Sequence, residues 1–329
     1  MMRGLSGNLW PHHPSPLPDE VFSSWLIRTA EVNAPRLHTF CKLHWGNTQI
    51  WTRDIDVHGG KNLLQIMSEK TGTNLELARN TLIQSYEGTV FEKLNPYGTT
   101  RWVLPIGIRH RIRYKFGQQM CPLCLKEDHI PYYRKHWRLA FNSSCLRHGI
   151  ILNDRCWKCN SPIIPSRNGL ISCHECKSAH ADAPVIMGNP LALQFEYQIH
   201  RYLHGAPTKL GMKYIHPIIY FDIVRQLCKV MSTGPRSPDL RNSINSIFHC
   251  TSNFNSSEKV FEKMDVQNRH IILSLVYTVI EGWPFKLIAA SIASRNWSSW
   301  LLKDHKPGRF DLVDPSNRYL SPPPTHNTR

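Results

Sequence analysis

Four pairs of metal-type side chains, each with two residues between its members, constrain this chain more than any other feature. They are Cys121/Cys124, Cys145/His148, Cys156/Cys159 and Cys173/Cys176. A two-residue gap lets a tight turn aim both donors at one tetrahedral ion, at about 2.3 Å for a thiolate, while the following stretch returns a second pair from the opposite side. Twenty residues separate Cys124 from Cys145, and thirteen separate Cys159 from Cys173. Both are spacings of zinc ribbons or fingers. Consecutive pairing gives a Cys₃His site followed by a Cys₄ site, hence two structural Zn²⁺ ions. It also keeps each site local, although swapped half-sites would satisfy the same count, and His136, His174 and His180 lie close enough to replace a ligand. Cys41, Cys228 and Cys250 have no partner at this spacing and read as small buried apolar residues.

A closed four-ligand shell leaves no position for an activated water, so the metal reads as scaffold and the chain as non-enzymatic, with no catalytic residue assigned. No His-Glu-x-x-His motif occurs, and no His-x-Glu precedes a cysteine pair as zinc deaminases require. Glu175, wedged between His174 and Cys176, is not placed to act as a base on an open metal. The formal charge of +16, about +13 once thiolates hold two zinc ions, favours a polyanionic partner. The first residues lack an apolar stretch of signal-peptide length, and the longest apolar run, 271–280, falls short of the roughly 18 residues a membrane span needs. A cytoplasmic protein without membrane contact is expected, in a compartment where cysteines stay reduced and available to metal.

Periodicity divides the chain into three: 1–118 helical, 119–184 carrying the cysteine pairs, and 185–329 helical again. The expected fold is mainly α with small zinc-ribbon β elements, and helix-turn-helix regions flank two structural zinc sites. Asp19 can cap a helix over 19–31 that sets Val21, Phe22, Trp25, Leu26 and Thr29 on one face. Leu37, Phe40, Cys41 and His44 suggest a second, and Gly59-Gly60 breaks the chain. Next, Leu63, Leu64, Ile66 and Met67 lead through Thr71-Gly72-Thr73 to a segment capped by Asn74 and carrying Leu75, Ala78, Leu82 and Tyr86. Helix, short glycine turn, helix is the order of a helix-turn-helix. Arg79 and Asn80 on its polar side suit base edges or phosphates, as they would also suit water.

Arg109, Arg111, Arg113 and Lys115 alternate along a stretch that, if extended, aligns four cations on one face for DNA or RNA phosphates; a charged strand edge would look the same. Residues 132–138 interleave aromatics with cations, where Trp137, Leu139 and Phe141 are expected to form a small core beside the metal. Helices are expected over 191–204, 218–231 and 268–282. Residues 232–257, rich in Ser, Asn, Pro and Gly, read as a loop, and 285–293 with 297–302 form a possible second helix-turn-helix. The Pro-rich end, 321–324 and beyond, reads as unstructured.

With those residues set out, the sequence resembles the TniQ/TnsD family of transposon target-selection proteins, most of all the TniQ of CRISPR-associated transposons. The resemblance rests on Pro16-Leu-Pro-Asp-Glu20 with Ser24-Trp25-Leu-Ile-Arg28, then on Cys121-Pro-Leu-Cys124-Leu-Lys-Glu127-Asp128, Tyr132-Tyr133, Trp137-Arg138, Cys145, His148-Gly149 and the second cysteine set. Val21-Phe22 depart from the smaller polar residue expected after the acidic position. The resemblance covers about 1–180 well and implies a targeting adaptor that links an RNA-guided Cascade complex, or target DNA, to the transposon's AAA+ ATPase regulator and transposase. It also implies a homodimer. Other members read a DNA attachment site directly, as TnsD does, and a free-standing transcription regulator is the reading from outside the family.

Overall fold

A computed structural model describes residues 9–95, 98–109, 112–113 and 115–296. The chain resolves into two compact units, Met1–Met187 and Gly188–Arg329. The amino-terminal helices and the cysteine region share the first of these units.

In the first unit, α1 (Phe22–Asn33) and α2 (Leu37–Trp45) precede α3 (Ile55–His58), α4 (Lys61–Thr71) and α5 (Leu75–Arg79). Their apolar faces meet in a core in which Trp25, Leu26 and Phe40 lose essentially all contact with water, and Trp10 stands edge-on to Phe40 at 4.8 Å. Asp19 does not cap α1. It sits in the left-handed region at φ 55° and pairs with His136, leaving Val21 at the cap position. Val21 and Phe22 are fully buried, their amides bonded to the carbonyls of Tyr133 and Thr81.

The helix-turn-helix order is present, with Gly72 closing α4 at φ +67° and the Asn74 side chain accepting the Glu76 amide to start α5. The second helix is only five residues long, however, not the span to Tyr86 that periodicity suggested. Its continuation is drawn elsewhere: the Asn80 carbonyl accepts from Lys135 Nζ at 2.5 Å and the Thr81 carbonyl from the Phe22 amide at 3.0 Å. Leu82 is then extended before a 3₁₀ turn, Ile83–Tyr86.

The expected basic strip is not one strand. β1 (Ile108–Arg109) folds back antiparallel on β2 (Ile112–Arg113), with Ile108 opposite Arg113 and Arg109 opposite Ile112. Backbone groups that a lone strand would leave open are paired within the hairpin instead. Arg109 and Arg113 thus fall on facing strands, Lys115 follows half-buried, and Arg111 lies outside the described residues.

Beyond it come α6 (Pro122–Glu127), the hairpin β3 (Ser144–Cys145) and β4 (Ile150–Ile151), and α7 (Pro165–Asn168). Trp137, Leu139 and Phe141 are fully buried, as expected. The cations among them are internal as well. Arg138 is fully buried, its guanidinium reaching Asp54 at 2.5 Å and Asp56 at 2.7 Å, while Asp56 also accepts the Ser23 amide and hydroxyl. Lys135 is buried beneath Asn80 and Ser85, and Arg134 pairs with Asp128 while lying over the Tyr132 and Trp137 rings. A stretch that could have stacked on bases is therefore the inner wall of this unit.

The second unit holds α8 (Pro190–Leu203), the hairpin β5 (Lys209–Leu210) and β6 (Lys213–Tyr214), α9 (Pro217–Ser232), α10 (Ser237–Phe248), α11 (Val266–Glu281) and α12 (Phe285–Ala293). Proline at the first turn and a side-chain cap from Asn189 or His216 start α8 and α9, and Asp265 caps α11 by accepting the Asn268 amide. α11 packs against α8, α9, α10 and α12, which is why its apolar residues are not confined to one face. Helix α10 corrects the expected 232–257 loop: Leu240 and Ile244, one helical turn apart, are fully buried despite the Ser- and Asn-rich composition around them. Cys41 and Cys228 are buried as expected, whereas Cys250 is half-exposed beside Thr278. Residues 297–302 and 321–324 lie outside the described residues. Among the described residues no single helix is long and apolar enough to cross a membrane.

Candidate metal centres

Cys121, Cys124, Cys145 and His148 converge with their donor atoms within 4.8 Å of one another, and so do Cys156, Cys159, Cys173 and Cys176. Each group unites consecutive pairs. His136 turns to Asp19 and His174 to Glu175, and neither joins a cluster.

Local turn chemistry builds the first centre. Cys121 caps α6, its sulfur accepting the Cys124 amide at 3.4 Å, with Pro122 in the first helical turn where a missing N–H costs nothing. Opposite, Cys145 ends β3 and His148 lies in the turn that joins it to β4; the His148 and Gly149 amides both bond the Cys145 carbonyl, and Gly149 supplies the φ of +66° needed to close the turn. Reciprocal bonds of 2.9 Å between Met120 and Asn153 draw the two halves together. His148 Nδ1 then lies 3.3, 3.5 and 3.4 Å from the sulfurs of Cys121, Cys124 and Cys145, and Cys124 Sγ lies 3.6 Å from Cys145 Sγ. Tetrahedral bonds of about 2.3 Å to sulfur and 2.0 Å to nitrogen put donors about 3.5–3.8 Å apart, so the cage has the size of one such ion.

Glu127 belongs to this centre, though only as part of a quoted motif did it figure in the sequence. Its carboxylate accepts from His148 Nε2 at 2.9 Å, which turns Nδ1 inward and fixes the tautomer a metal needs. The hydrogen bond from His148 is also the main reason the Glu127 carboxyl sits below its ordinary pKa. Arg147 spans Glu127 and Asp128, steadying that carboxylate from outside.

The second centre consists of two matched turns. In Cys156-x-x-Cys159-Asn160-Ser161 and Cys173-x-x-Cys176-Lys177-Ser178 the first cysteine's amide donates to the serine carbonyl at 2.9 Å, and its own carbonyl accepts the amide of the intervening Asn160 or Lys177. Those two residues adopt φ of 62° and 61°, and each serine hydroxyl lies close to the second cysteine's sulfur, at 3.1 and 3.2 Å. Sulfurs face across the pair at 3.5 Å (Cys156 to Cys176) and 3.6 Å (Cys159 to Cys173). The repeated serine, five residues after each leading cysteine, is a signal that cysteine spacing alone passes over.

Packing the sulfurs together shifts their thiols in opposite directions. Packed against one another, the first three cysteines split: Cys145 is driven far down by hydrogen bonds from Cys121 and Cys124, and Cys124 is driven far up, chiefly by its contact with Cys121. In the second centre the Ser178 hydroxyl first, and its backbone next, lower Cys176 to about 6. Protons crowded among mutually close sulfurs are what a divalent cation displaces. The spacing of the donors lets each cluster hold one metal ion, and all four donors in each are protein atoms.

These features define a mainly helical chain with two four-donor Cys/His centres, the first joined to an amino-terminal helical core. Residues 11–152, a little under half of the chain, match the family model described as TniQ. The match takes in the amino-terminal helices and the first centre and stops before the second. No curated protein matches the chain.

The family signature has a physical meaning here. Glu20 is buried and accepts from Arg28 at 2.8 and 3.1 Å, from the Ser24 hydroxyl at 2.8 Å and from the Leu17 amide at 2.9 Å. The Trp25 indole and Arg28 bond the carbonyls of Pro14 and Ser15, tying the lead-in to α1. The backbone at Glu20 forms an antiparallel β-bridge with that at Arg134, and Ser24 Oγ accepts the Tyr133 amide, so the two halves of the signature lock together. Of the residues marked for nucleic acid, Arg79 and Asn80 are exposed at the end of α5 and Lys115 lies on a separate segment.

Proposed function

We propose that the protein is a non-catalytic target-selection adaptor for DNA transposition, its two clusters holding structural Zn²⁺. The TniQ match carries this reading. The closed donor sets support it, since a fully protein-filled tetrahedron of sulfur and one imidazole suits zinc and leaves no place for a reacting water. Cytoplasmic location agrees with the use of reduced thiols as ligands.

In this reading a homodimer engages an RNA-guided Cascade complex through one surface and the AAA+ ATPase regulator of the transposase through another. The net charge of +16 favours a polyanionic partner such as nucleic acid. Arg79, Asn80, Arg109, Arg111, Arg113 and Lys115 are the proposed contacts. Tagged full-length protein co-expressed with Cascade and the regulator should retain both through a salt wash, and guided integration should depend on it. Failure to retain either, together with no binding to target DNA, rejects the reading. Tight, salt-sensitive binding to a short duplex without any partner would instead identify a direct DNA reader, the role that the α4–α5 order suggests.

A further inference from the structure

A cleft of about 420 Å³ opens between α2, the segment 46–52 and α7. Its size falls in the range of small-ligand sites, and none of its lining residues belongs to either metal cluster. One wall, with His38, Cys41 and Lys42, is a single face of α2, because positions three and four apart on a helix are neighbours. Ile164 and Arg167 also line it and are carried by the loop between the two halves of the second metal centre. The TniQ match therefore supplies only one side of the cleft.

The charge lining this cleft is of one sign. Arg28, Arg134, Arg138, Arg147 and Arg155 each have a carboxylate partner. Lys42 and Arg167 are exposed and have none among the described residues, and no carboxylate lines the cleft. The Cys41 thiol is pushed up to about 11 by burial and adds no negative charge. Buried Ile50 and the half-buried Trp51 line the same cleft, as do the amide of Gln49 and the hydroxyls of Thr48 and Ser166.

We propose that this cleft binds a phosphate-bearing nucleotide, with Lys42 and Arg167 taking the phosphate and Trp51 the face of the base. Two unpaired cations recognise a phosphate, Arg167 with a planar fork that can engage two oxygens. An aromatic ring beside them gives a base a stacking surface, which neither a free phosphate nor a carboxylate would use. The polar groups can meet the sugar and base edge. Nothing in this site depends on the targeting role, so the two stand or fall separately.

Calorimetric titration of the full-length, metal-loaded protein tests it, with AMP, adenosine, inorganic phosphate and a short single-stranded oligodeoxythymidylate as probes. AMP should fill one site per chain, and adenosine and inorganic phosphate should each bind about tenfold or more weakly, because each offers only half of the recognised chemistry. Lys42→Ala and Arg167→Ala should each weaken AMP by about tenfold, Arg167→Lys by less. Trp51→Ala should lose about tenfold and Trp51→Phe much less, a comparison that holds even if the alanine variant folds poorly. If the oligonucleotide binds with the same dependence on these side chains, the nucleotide comes from a single strand; if AMP alone binds, it is a free nucleotide. The proposal is overturned if neither saturates, or if binding survives Lys42→Ala and Arg167→Ala unchanged in variants that keep their metal.

Discussion

At the scale of single residues, the chain hides its charges where a sequence reading places them outside. Arg138 looks like one cation in a basic, aromatic stretch, but it is fully buried against Asp54 and Asp56, more than eighty positions away. No local pattern encodes that pairing, whereas the metal centres were legible because two-residue gaps are local. Removing the guanidinium takes a buried positive charge away from both carboxylates, so Arg138→Met should cost about 3–5 kcal/mol in urea unfolding, with Arg138→Lys restoring only part. A loss below about 1 kcal/mol would mean that water replaces the arginine. His270 gives a prediction in pH. It is buried, its Nε2 accepts the Asn189 amide at 2.7 Å, and burial first, then Arg269, lowers its pKa from 6.5 to about 4. The unfolded chain therefore takes the proton first: the contribution is complete above about pH 6.5 and is lost as pH falls toward 4. Stability should drop by roughly 1–2 kcal/mol between pH 7 and 5 from this group, and His270→Gln, which can still accept the amide but does not titrate, should flatten that slope in thermal melts.

At the scale of elements, long periodic helices were readable and short or disguised ones were not. The expected 191–204, 218–231 and 268–282 became Pro190–Leu203, Pro217–Ser232 and Val266–Glu281, each with a sustained apolar pattern and a proline or side-chain cap at its start. Helix α5 was overextended because Leu82 and Tyr86 keep helical spacing, while the groups that end the helix, Lys135 and the Phe22 amide, arrive from remote parts of the chain. Helix α10 was missed for the opposite reason. Its Ser, Asn and Pro composition resembles a loop, and only Leu240 and Ile244 betray a buried face. That difference can be measured. Ile244→Ala empties a fully buried site and should destabilise the protein by about 2–5 kcal/mol, whereas exposed Asn242→Ala should change stability by under about 0.5 kcal/mol. Equal, small effects from both would return 237–248 to the loop that composition suggested.

At the scale of the molecule, the two metal centres have unequal standing, and metal removal should expose it. In the first, Cys121, Cys124 and Cys145 are all buried, and the cage sits between α6 and a hairpin joined through Met120 and Asn153. In the second, Cys159 is exposed and Cys176 only partly covered, and the cage closes one surface loop. Because folding and metal binding are coupled, loss of a ligand removes both the ion and the local structure it holds. Cys121→Ala and Cys173→Ala should each reduce the metal content from two ions per chain to one by elemental analysis. Their structural consequences should differ. Cys173→Ala should make the loop carrying Arg167 protease-sensitive while 11–152 stays protected, and Cys121→Ala should open the amino-terminal unit itself. Limiting chelator should likewise strip the more accessible second centre first, in two resolved steps. Release of both ions in one step would show that the centres fold as a single cooperative block, and the loop between Cys159 and Cys173 would then be held as firmly as the helical core.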